Sequence, residues 1–258
     1  MINLSSVSRP GQPNQARPSK NRVYVRPDTT TTNTQKPTTA TAFATSNRTR
    51  GSPRPTTVTS TGKIAGVNRE SPYSFTRHIA GKLTVVSVGE NPTVGPLLAA
   101  LPQQLPVSVL RLTKDQTDSN EAGEDLASAL IWLGAQYKPQ LPVVIVGWSV
   151  GAAAATVVTQ MFQYDPTRVA GIVLLACLPN NQVAEALPVL VCEKLIIHGT
   201  ADQTMPPSVA QEMYNFATKG PRYLHLLDGA DHTLASHTTQ IAELMEQFLQ
   251  YLISKKSC

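Results

Sequence analysis

The sequence has few cysteines and no long apolar run, and each absence excludes a class of protein. Cysteine occurs three times in 258 residues, without the paired spacing of a disulfide framework. We therefore expect Cys177 and Cys192 to be small buried residues and Cys258 to be a free thiol, in an intracellular protein of the cytoplasm. No apolar run is long enough to span a bilayer, and the first thirty or so residues lack the apolar core of a secretory signal. We predict no transmembrane segment.

The amino-terminal part of the chain lacks acidic residues and aliphatic periodicity. Threonine, proline, serine and asparagine prevail there, and such a segment cannot bury enough apolar surface to offset the entropy lost on ordering. We predict a disordered basic arm over residues 1–72 and a folded domain over residues 73–258. Asp28 is the one acid before Glu70, whereas eleven residues are basic: Arg9, Arg17, Lys20, Arg22, Arg26, Lys36, Arg48, Arg50, Arg54, Lys63 and Arg69.

The predicted arm admits several interpretations. Its basic residues are scattered singly, with no aromatic interleaving that would stack nucleic-acid bases, which favours a solvated linker. A mobile basic segment can also bind nucleic acid, an anionic membrane or an acidic protein partner. An acid-poor amino terminus with serine and arginine also fits an organelle import signal, although its many prolines and its lack of an amphipathic helix argue against one.

Short apolar runs alternate with helical patterns in the rest of the chain. Residues with helical spacing include Leu126, Leu130 and Leu133, and a second stripe joins Ile241 to Met245. This alternation predicts a doubly wound, mostly parallel sheet in a three-layer α/β sandwich, where ligands bind at the carboxyl ends of the strands. The apolar runs have the length of strands buried on both faces and cover residues 83–88, 107–112, 143–146, 171–175, 195–198 and 223–227.

The run over residues 143–146 leads directly into Gly147-Trp148-Ser149-Val150-Gly151 and then four alanines. A strand followed by Gly-x-Ser-x-Gly and a helix of small residues is typical of a nucleophile elbow. The serine at such a turn has a strained backbone, and a Cβ on either flanking glycine would collide with the helix or the sheet. We predict Ser149 as the nucleophile.

Two later strands end near residues that could activate this serine. Asp202 follows the run that ends at His198, and His232 follows the run that ends at Leu227. A serine hydroxyl becomes nucleophilic when a neutral imidazole removes its proton, and a carboxylate fixes the tautomer of that imidazole. We assign His232 as the general base and acid and Asp202 as the orienting carboxylate, in the Ser-Asp-His order of a doubly wound hydrolytic sheet.

Other titratable residues compete with these assignments. A histidine inside a strand pattern is more often a core residue than a catalyst, and a histidine that opens the last helix could act only if the preceding loop were longer. An aspartate adjacent to the base in sequence points away from it, and one beside a glycine is expected in a turn. The histidines within strand patterns are His198 and His225, and the one that opens the last helix is His237. The aspartate adjacent to the base is Asp231, and the one beside a glycine is Asp228.

The elbow, Ile197-His198-Gly199-Thr200-Ala201-Asp202 and Gly229-Ala230-Asp231-His232-Thr233 together resemble the α/β-hydrolase superfamily, over about two thirds of the chain. The resemblance implies a serine hydrolase, such as an esterase, thioesterase or lipase, that forms an acyl-enzyme without a metal or an organic cofactor. It also implies an oxyanion hole formed by two backbone N–H groups, those of Val150 and Glu90.

Three departures from the family pattern bear on function. Many relatives have a His-Gly pair where this chain has Val88-Gly89-Glu90, and a carboxylate that pointed into the oxyanion hole would repel negative charge. Only residues 73–80 remain for the usual amino-terminal hairpin, so we expect an abbreviated α/β-hydrolase fold with a smaller sheet. Residues 178–193 allow a short excursion and no helical lid, which predicts an open cleft.

We therefore predict a carboxylesterase-like or thioesterase-like serine hydrolase that cleaves an ester or thioester of a small-molecule or macromolecule-borne acyl substrate. The alternative is a non-catalytic scaffold of the same fold, whose basic arm recruits nucleic acid or an acidic protein partner. The complete Ser-Asp-His set favours the enzyme. Glu90, the missing histidine and the long basic arm favour the scaffold.

Overall fold

The part of the chain that the structure describes lies in its carboxyl-terminal three quarters. The computed structural model describes residues 56–66, 69–89, 91–114, 118–137, 140–164 and 169–255. All of these belong to one compact unit. The predicted arm therefore lies outside the described residues up to residue 55.

The described residues form an eight-stranded sheet. Its hydrogen-bonded order is β1-β2-β4-β3-β5-β6-β7-β8, with β3 to β8 parallel and β1 and β2 forming an antiparallel hairpin beside β4. All six apolar runs of the sequence occur as strands, which confirms the doubly wound, mostly parallel sheet. The strands are β1 (Thr57–Ala65), β2 (Glu70–His78), β3 (Leu83–Val88), β4 (Val107–Leu112), β5 (Val143–Trp148), β6 (Val169–Leu175), β7 (Glu193–Gly199) and β8 (Arg222–Leu227).

Helices cover both faces of the sheet and make the predicted three-layer sandwich. Successive strand residues point to opposite faces, so Val85 packs in a core with α1 and α6, whereas Val86 packs in a core with α2, α3 and α5. The helices are α1 (Val94–Gln104), α2 (Ser119–Gln136), α3 (Val150–Phe162), α4 (Asn181–Ala186), α5 (Pro207–Phe216) and α6 (Thr238–Lys255). No helix among the described residues is long and apolar enough to cross a membrane.

The amino-terminal hairpin corrects the expectation of a smaller sheet. Strands β1 and β2 pair from Thr57 with His78 to Ala65 with Glu70, so the sheet begins well before the predicted boundary at residue 73. Both strands are rich in threonine and serine, and in β1 Ile64 alone is buried. An edge hairpin exposes most of its side chains, so it lacks the apolar runs that mark the central strands.

Charged side chains attach the hairpin to α2. The guanidinium of Arg69 lies 2.9 Å from Asp125 Oδ1 and 2.7 Å from Glu121 Oε2, and Asp125 is 1% exposed. The hydroxyl of Ser71 also donates a hydrogen bond to Asp125. Arg69, which composition assigned to the basic arm, is therefore part of the folded domain.

The two cysteines within the described ranges are buried and unpaired, as predicted. Burial raises the pKa of the Cys192 thiol to about 11 and that of Cys177 still further above its ordinary value. Thiols held in the protonated form are poor nucleophiles, so both act as small packing residues. Cys258 lies outside the described residues.

Candidate active site

The three residues predicted to carry the chemistry lie at one edge of the sheet. Ser149 follows β5, Asp202 follows β7 and His232 follows β8. Since β5, β7 and β8 are parallel, their carboxyl ends all open onto this edge. The sheet topology thus brings together residues that are up to 83 positions apart in sequence.

The backbone at Ser149 has the strained geometry predicted for a nucleophile elbow. Its φ of 54° and ψ of −118° lie where non-glycine residues are rare. A Cβ on Gly147 would stand 2.4 Å from the carbonyl oxygen of Gly151, and one on Gly151 would stand 2.3 Å from that of Val88. The two glycines therefore allow the turn to pack directly against the helix that follows and the neighbouring strand.

Hydrogen bonds connect Ser149, His232 and Asp202 in series. His232 Nε2 lies 3.0 Å from Ser149 Oγ, and His232 Nδ1 lies 2.8 Å from Asp202 Oδ2. The Asp202 side chain has no exposed surface, and that of His232 is 16% exposed. An ionised carboxylate can only accept, so a neutral His232 ring paired with it has its proton on Nδ1 and leaves Nε2 as a hydrogen-bond acceptor for the Ser149 hydroxyl.

The other oxygen of Asp202 fixes the carboxylate in place. Asp202 Oδ1 accepts hydrogen bonds from the backbone N–H groups of Thr204, at 2.8 Å, and Met205, at 2.9 Å. The carboxylate is thus bound on one side by backbone and on the other by imidazole. Because two backbone donors hold it, the plane of the carboxylate cannot rotate freely, and Oδ2 stays directed at His232.

His198 is a contact of this site that the sequence did not reveal. It is buried, as expected for a histidine within a strand, but its Nε2 lies 2.9 Å from the carbonyl oxygen of Met205 and 3.5 Å from Asp202 Oδ2. The ring therefore packs beside the carboxylate that faces His232. Its spacing of four residues before Asp202 was the available signal, since the turn after β7 folds back over the end of the strand.

The remaining competitors lie apart from these hydrogen bonds. Asp231 is bound within its own loop, where a hydrogen bond from the Thr233 hydroxyl holds its pKa below the ordinary value. The carboxylate of Asp228 accepts a hydrogen bond from the Thr200 hydroxyl, and the ring of His237 is hydrogen-bonded to the Ser236 hydroxyl. His225 is half-buried in the middle of β8. None of these four side chains makes a hydrogen bond to Ser149, His232 or Asp202 within the described part of the chain.

One of the two predicted oxyanion-hole donors lies within the described residues. Val150 is the first residue of α3, so its N–H has no acceptor inside the helix and lies at the positive end of the helix dipole. Glu90 lies outside the described residues. Gly89, just before it, approaches the elbow so closely that a Cβ there would stand 2.7 Å from the Trp148 carbonyl oxygen.

Comparisons with known proteins identify the fold. No protein-family model matches the chain, and no curated protein matches it. Solved structures do match. Dienelactone hydrolase from Anabaena variabilis is 19% identical with a TM-score of 0.63, over 76% of this chain and 98% of that one. An alpha-beta serine hydrolase homologue from Coxiella burnetii is 20% identical with a TM-score of 0.60, over 73% of this chain and 96% of the other. The chain has the α/β-hydrolase fold.

A third solved structure also matches this α/β-hydrolase-fold protein. A serine hydrolase from Xanthomonas campestris, described as lacking a lid, is 13% identical with a TM-score of 0.57, over 75% of this chain and 94% of that one. Between β6 and β7 the present chain has only the six-residue α4 and the single turn Leu187–Val189. Helix α4 packs against α3.

The described residues offer no site for a bound metal ion. Within the described ranges, no group of three histidine, cysteine, aspartate or glutamate side chains is placed to hold one.

Proposed function

We propose that this protein is a serine hydrolase that cleaves an ester or thioester through an acyl-enzyme at Ser149. The observation that carries the proposal is the series of hydrogen bonds from Asp202 through His232 to Ser149, at 2.8 and 3.0 Å. Distances of this size allow proton transfer without further movement of the side chains. The strained elbow supports the same role, because it directs Ser149 Oγ at the imidazole.

The proposed reaction has two halves. Ser149 Oγ attacks the acyl carbon while His232 Nε2 takes its proton, and Asp202 stabilises the resulting imidazolium. The imidazolium then gives the proton to the departing alkoxide or thiolate, which leaves an acyl-enzyme. Water repeats the sequence, releasing the acid and restoring the Ser149 hydroxyl. The Val150 N–H, with that of Glu90 as its predicted partner, would stabilise the oxyanion of each tetrahedral intermediate.

The structural neighbours support an ester as the bond that is cleaved. They include dienelactone hydrolase and the esterase domain of a protein from Rhodothermus marinus, which is 17% identical with a TM-score of 0.61 over 76% of this chain and 99% of that one. The short segment between β6 and β7 supports an accessible acyl group, carried by a small molecule or by a macromolecule. The scaffold alternative has no need for three aligned polar side chains.

Labelling with a fluorophosphonate probe tests the proposal. We expect the wild type to be labelled at Ser149, Ser149→Ala to be unlabelled, and His232→Ala to be labelled at least about a hundredfold more slowly, because the general base is lost. Ser208→Ala, at an exposed serine of α5, serves as the matched control and should be labelled like the wild type. A folded wild type that stays unlabelled would reject the hydrolase and favour the scaffold.

A further inference from the structure

The loop that carries His232 must reach across the sheet to meet Ser149. It starts at the end of β8, and β8 is separated from β5 by β6 and β7. Three strand spacings amount to about 14 Å. The base of this loop is attached to the neighbouring loop after β7. The backbone N–H of Ala201 donates to the Ala230 carbonyl, and the Thr200 hydroxyl accepts from the backbone N–H of Gly229. These contacts hold the base of the loop, and within the loop Asp231 Oδ1 accepts from the backbone N–H groups of Thr233 and Leu234.

Two side chains, one from the last residue of β5 and one from the loop after β3, bind consecutive backbone carbonyls at the tip of this loop. Trp148 Nε1 donates to the carbonyl oxygen of His232 at 3.0 Å, and Asn91 Nδ2 donates to that of Thr233 at 3.2 Å. The indole of Trp148 also packs against the imidazole of His232, with ring centroids 5.2 Å apart. The loop tip is therefore held at the residue proposed as the base and at the next residue.

The two donors come from the two segments with which His232 must be aligned. Trp148 immediately precedes the proposed nucleophile, and Asn91 lies in the loop after β3 that is expected to complete the oxyanion hole. Asn91 Oδ1 accepts from the backbone N–H groups of Thr93, at 3.0 Å, and Val94, at 2.8 Å, which start α1. Because its oxygen is engaged there, its amide nitrogen is the atom that faces the Thr233 carbonyl.

We infer that Trp148 and Asn91 are positioning residues, which together hold the His232 loop in register with the nucleophile and with the oxyanion loop. The inference rests on the proposed function. Neither side chain needs to touch the substrate. Each hydrogen bond restricts the loop tip, so that Nε2 of His232 stays within reach of Ser149 Oγ, and a misplacement of about 1 Å can cost about a hundredfold in rate.

Two substitutions separate this role from packing and from helix capping. Trp148→Phe keeps an aromatic ring beside His232 and removes the N–H donor together with part of the indole ring, a loss of ring that the control Trp132→Phe shares. Asn91→Ser keeps a hydroxyl acceptor for the start of α1 and removes the amide donor to Thr233. Trp132→Phe is the matched control, because Trp132 packs against Tyr73 and Phe75, at the hairpin side of the sheet.

We expect each substitution to slow fluorophosphonate labelling about tenfold and the double variant to slow it about a hundredfold. For hydrolysis of p-nitrophenyl acetate, kcat should fall while KM stays near the wild-type value, because the chemical step needs the aligned base. The downfield proton NMR signal of His232 Nδ1–H should broaden in both variants. Trp132→Phe should leave the labelling rate and this signal unchanged.

One outcome would contradict the positioning role, and another would contradict the proposed function. If the wild type is labelled and both variants react at the wild-type rate with an unchanged Nδ1–H signal, the positioning role is wrong and the proposed function stands. If the folded wild type is not labelled, the proposed function fails, and the NMR signal alone then decides the inference. An unchanged Nδ1–H signal in the double variant would then reject the positioning role of Trp148 and Asn91.

Discussion

Lys194 is a fully buried cation at the start of β7. Its ammonium donates to three backbone carbonyls, those of Leu190 at 2.9 Å, Cys192 at 2.6 Å and Lys219 at 2.7 Å. The side chain thus joins the segment before β7 to the turn before β8. A charge without water around it is tolerated only when such partners replace the hydration shell.

We predict that Lys194→Met lowers the free energy of unfolding by about 3 kcal/mol or more, because three carbonyls, two of them in buried hydrogen bonds, lose their donor. Chemical denaturation measures the change. Lys219→Met is the matched control, since its side chain is exposed and its carbonyl remains in place, and it should change the free energy by about 0.5 kcal/mol or less. Equal losses in the two variants would show that the buried ammonium has no special role.

The loss of stability in Lys194→Met is expected to depend on pH in one direction. Burial lowers the pKa of Lys194 below its ordinary value of 10.5, so the unfolded chain binds this proton more tightly than the folded protein does. Stability of the wild type therefore rises with pH between the lowered pKa and 10.5, and Lys194→Met lacks this contribution. The stability gap between the two proteins should widen over that interval, and a narrowing gap would contradict the lowered pKa.

Individual residues also show which parts of the candidate site could be predicted from the sequence and which could not. Ser149, Asp202 and His232 could be chosen because each follows an apolar run in the order that a parallel sheet brings together. His198 also follows from the sequence as a buried strand residue. Its approach to Asp202 does not, because that contact depends on how tightly the turn after β7 folds back.

Ion pairs of two kinds hold the hairpin of β1 and β2. Arg69 pairs with the buried Asp125 of α2, whereas Lys63 pairs with Glu70 across the hairpin at 3.1 Å, and both of the latter side chains are more than half exposed. Removing the partner of a buried charge is costly, while exposed pairs contribute little. The attachment of the hairpin to the domain should therefore depend on Arg69.

We predict that Arg69→Met lowers the free energy of unfolding by about 3 kcal/mol, because it leaves the buried Asp125 without its guanidinium. The matched variant Lys63→Met also removes one cation and one ion pair from the hairpin, and it should cost about 1 kcal/mol or less. Thermal or chemical unfolding distinguishes the two. A loss for Lys63→Met as large as that for Arg69→Met would mean that the buried pair does not anchor the hairpin.

The same hairpin shows which strands could not be recognised from the sequence alone. Central strands such as β5 are covered on both faces, so their sequences are almost wholly apolar and can be recognised without a structure. Strand β1 lies at the sheet edge and buries only Ile64, so its threonines and serines match those of the segment before it. Composition could not separate the two, and the domain boundary was set too late.

Positive and negative charge are unevenly divided between two parts of the chain. Residues 1–55 carry nine of the 22 lysines and arginines and one of the 17 acids. The remainder has 13 basic against 16 acidic residues, a net charge of −3, whereas the full chain has +5. Any attraction to polyanions at neutral pH should therefore come from residues 1–55, and the proposed chemistry from the rest.

We predict that a chain starting at Thr56 loses retention on heparin at low salt and is still labelled by the fluorophosphonate at the full-length rate. Starting there keeps β1 and Arg69 in place. A full-length variant with the nine basic residues replaced by glutamine separates charge from chain length, and it should behave like the shortened protein on heparin. Because the attraction is electrostatic, the full chain should elute as salt rises, once the Debye length falls below about 10 Å.

Two results would overturn this division of roles. Retention of the shortened protein would place the polyanion-binding surface on the net acidic part of the chain, against its charge. Loss of labelling, in a shortened protein that unfolds with the same free energy as the full chain, would show that residues 1–55 take part in the site. The glutamine variant would then tell whether their charge or their presence is required, because it retains the residues and lacks only their charge.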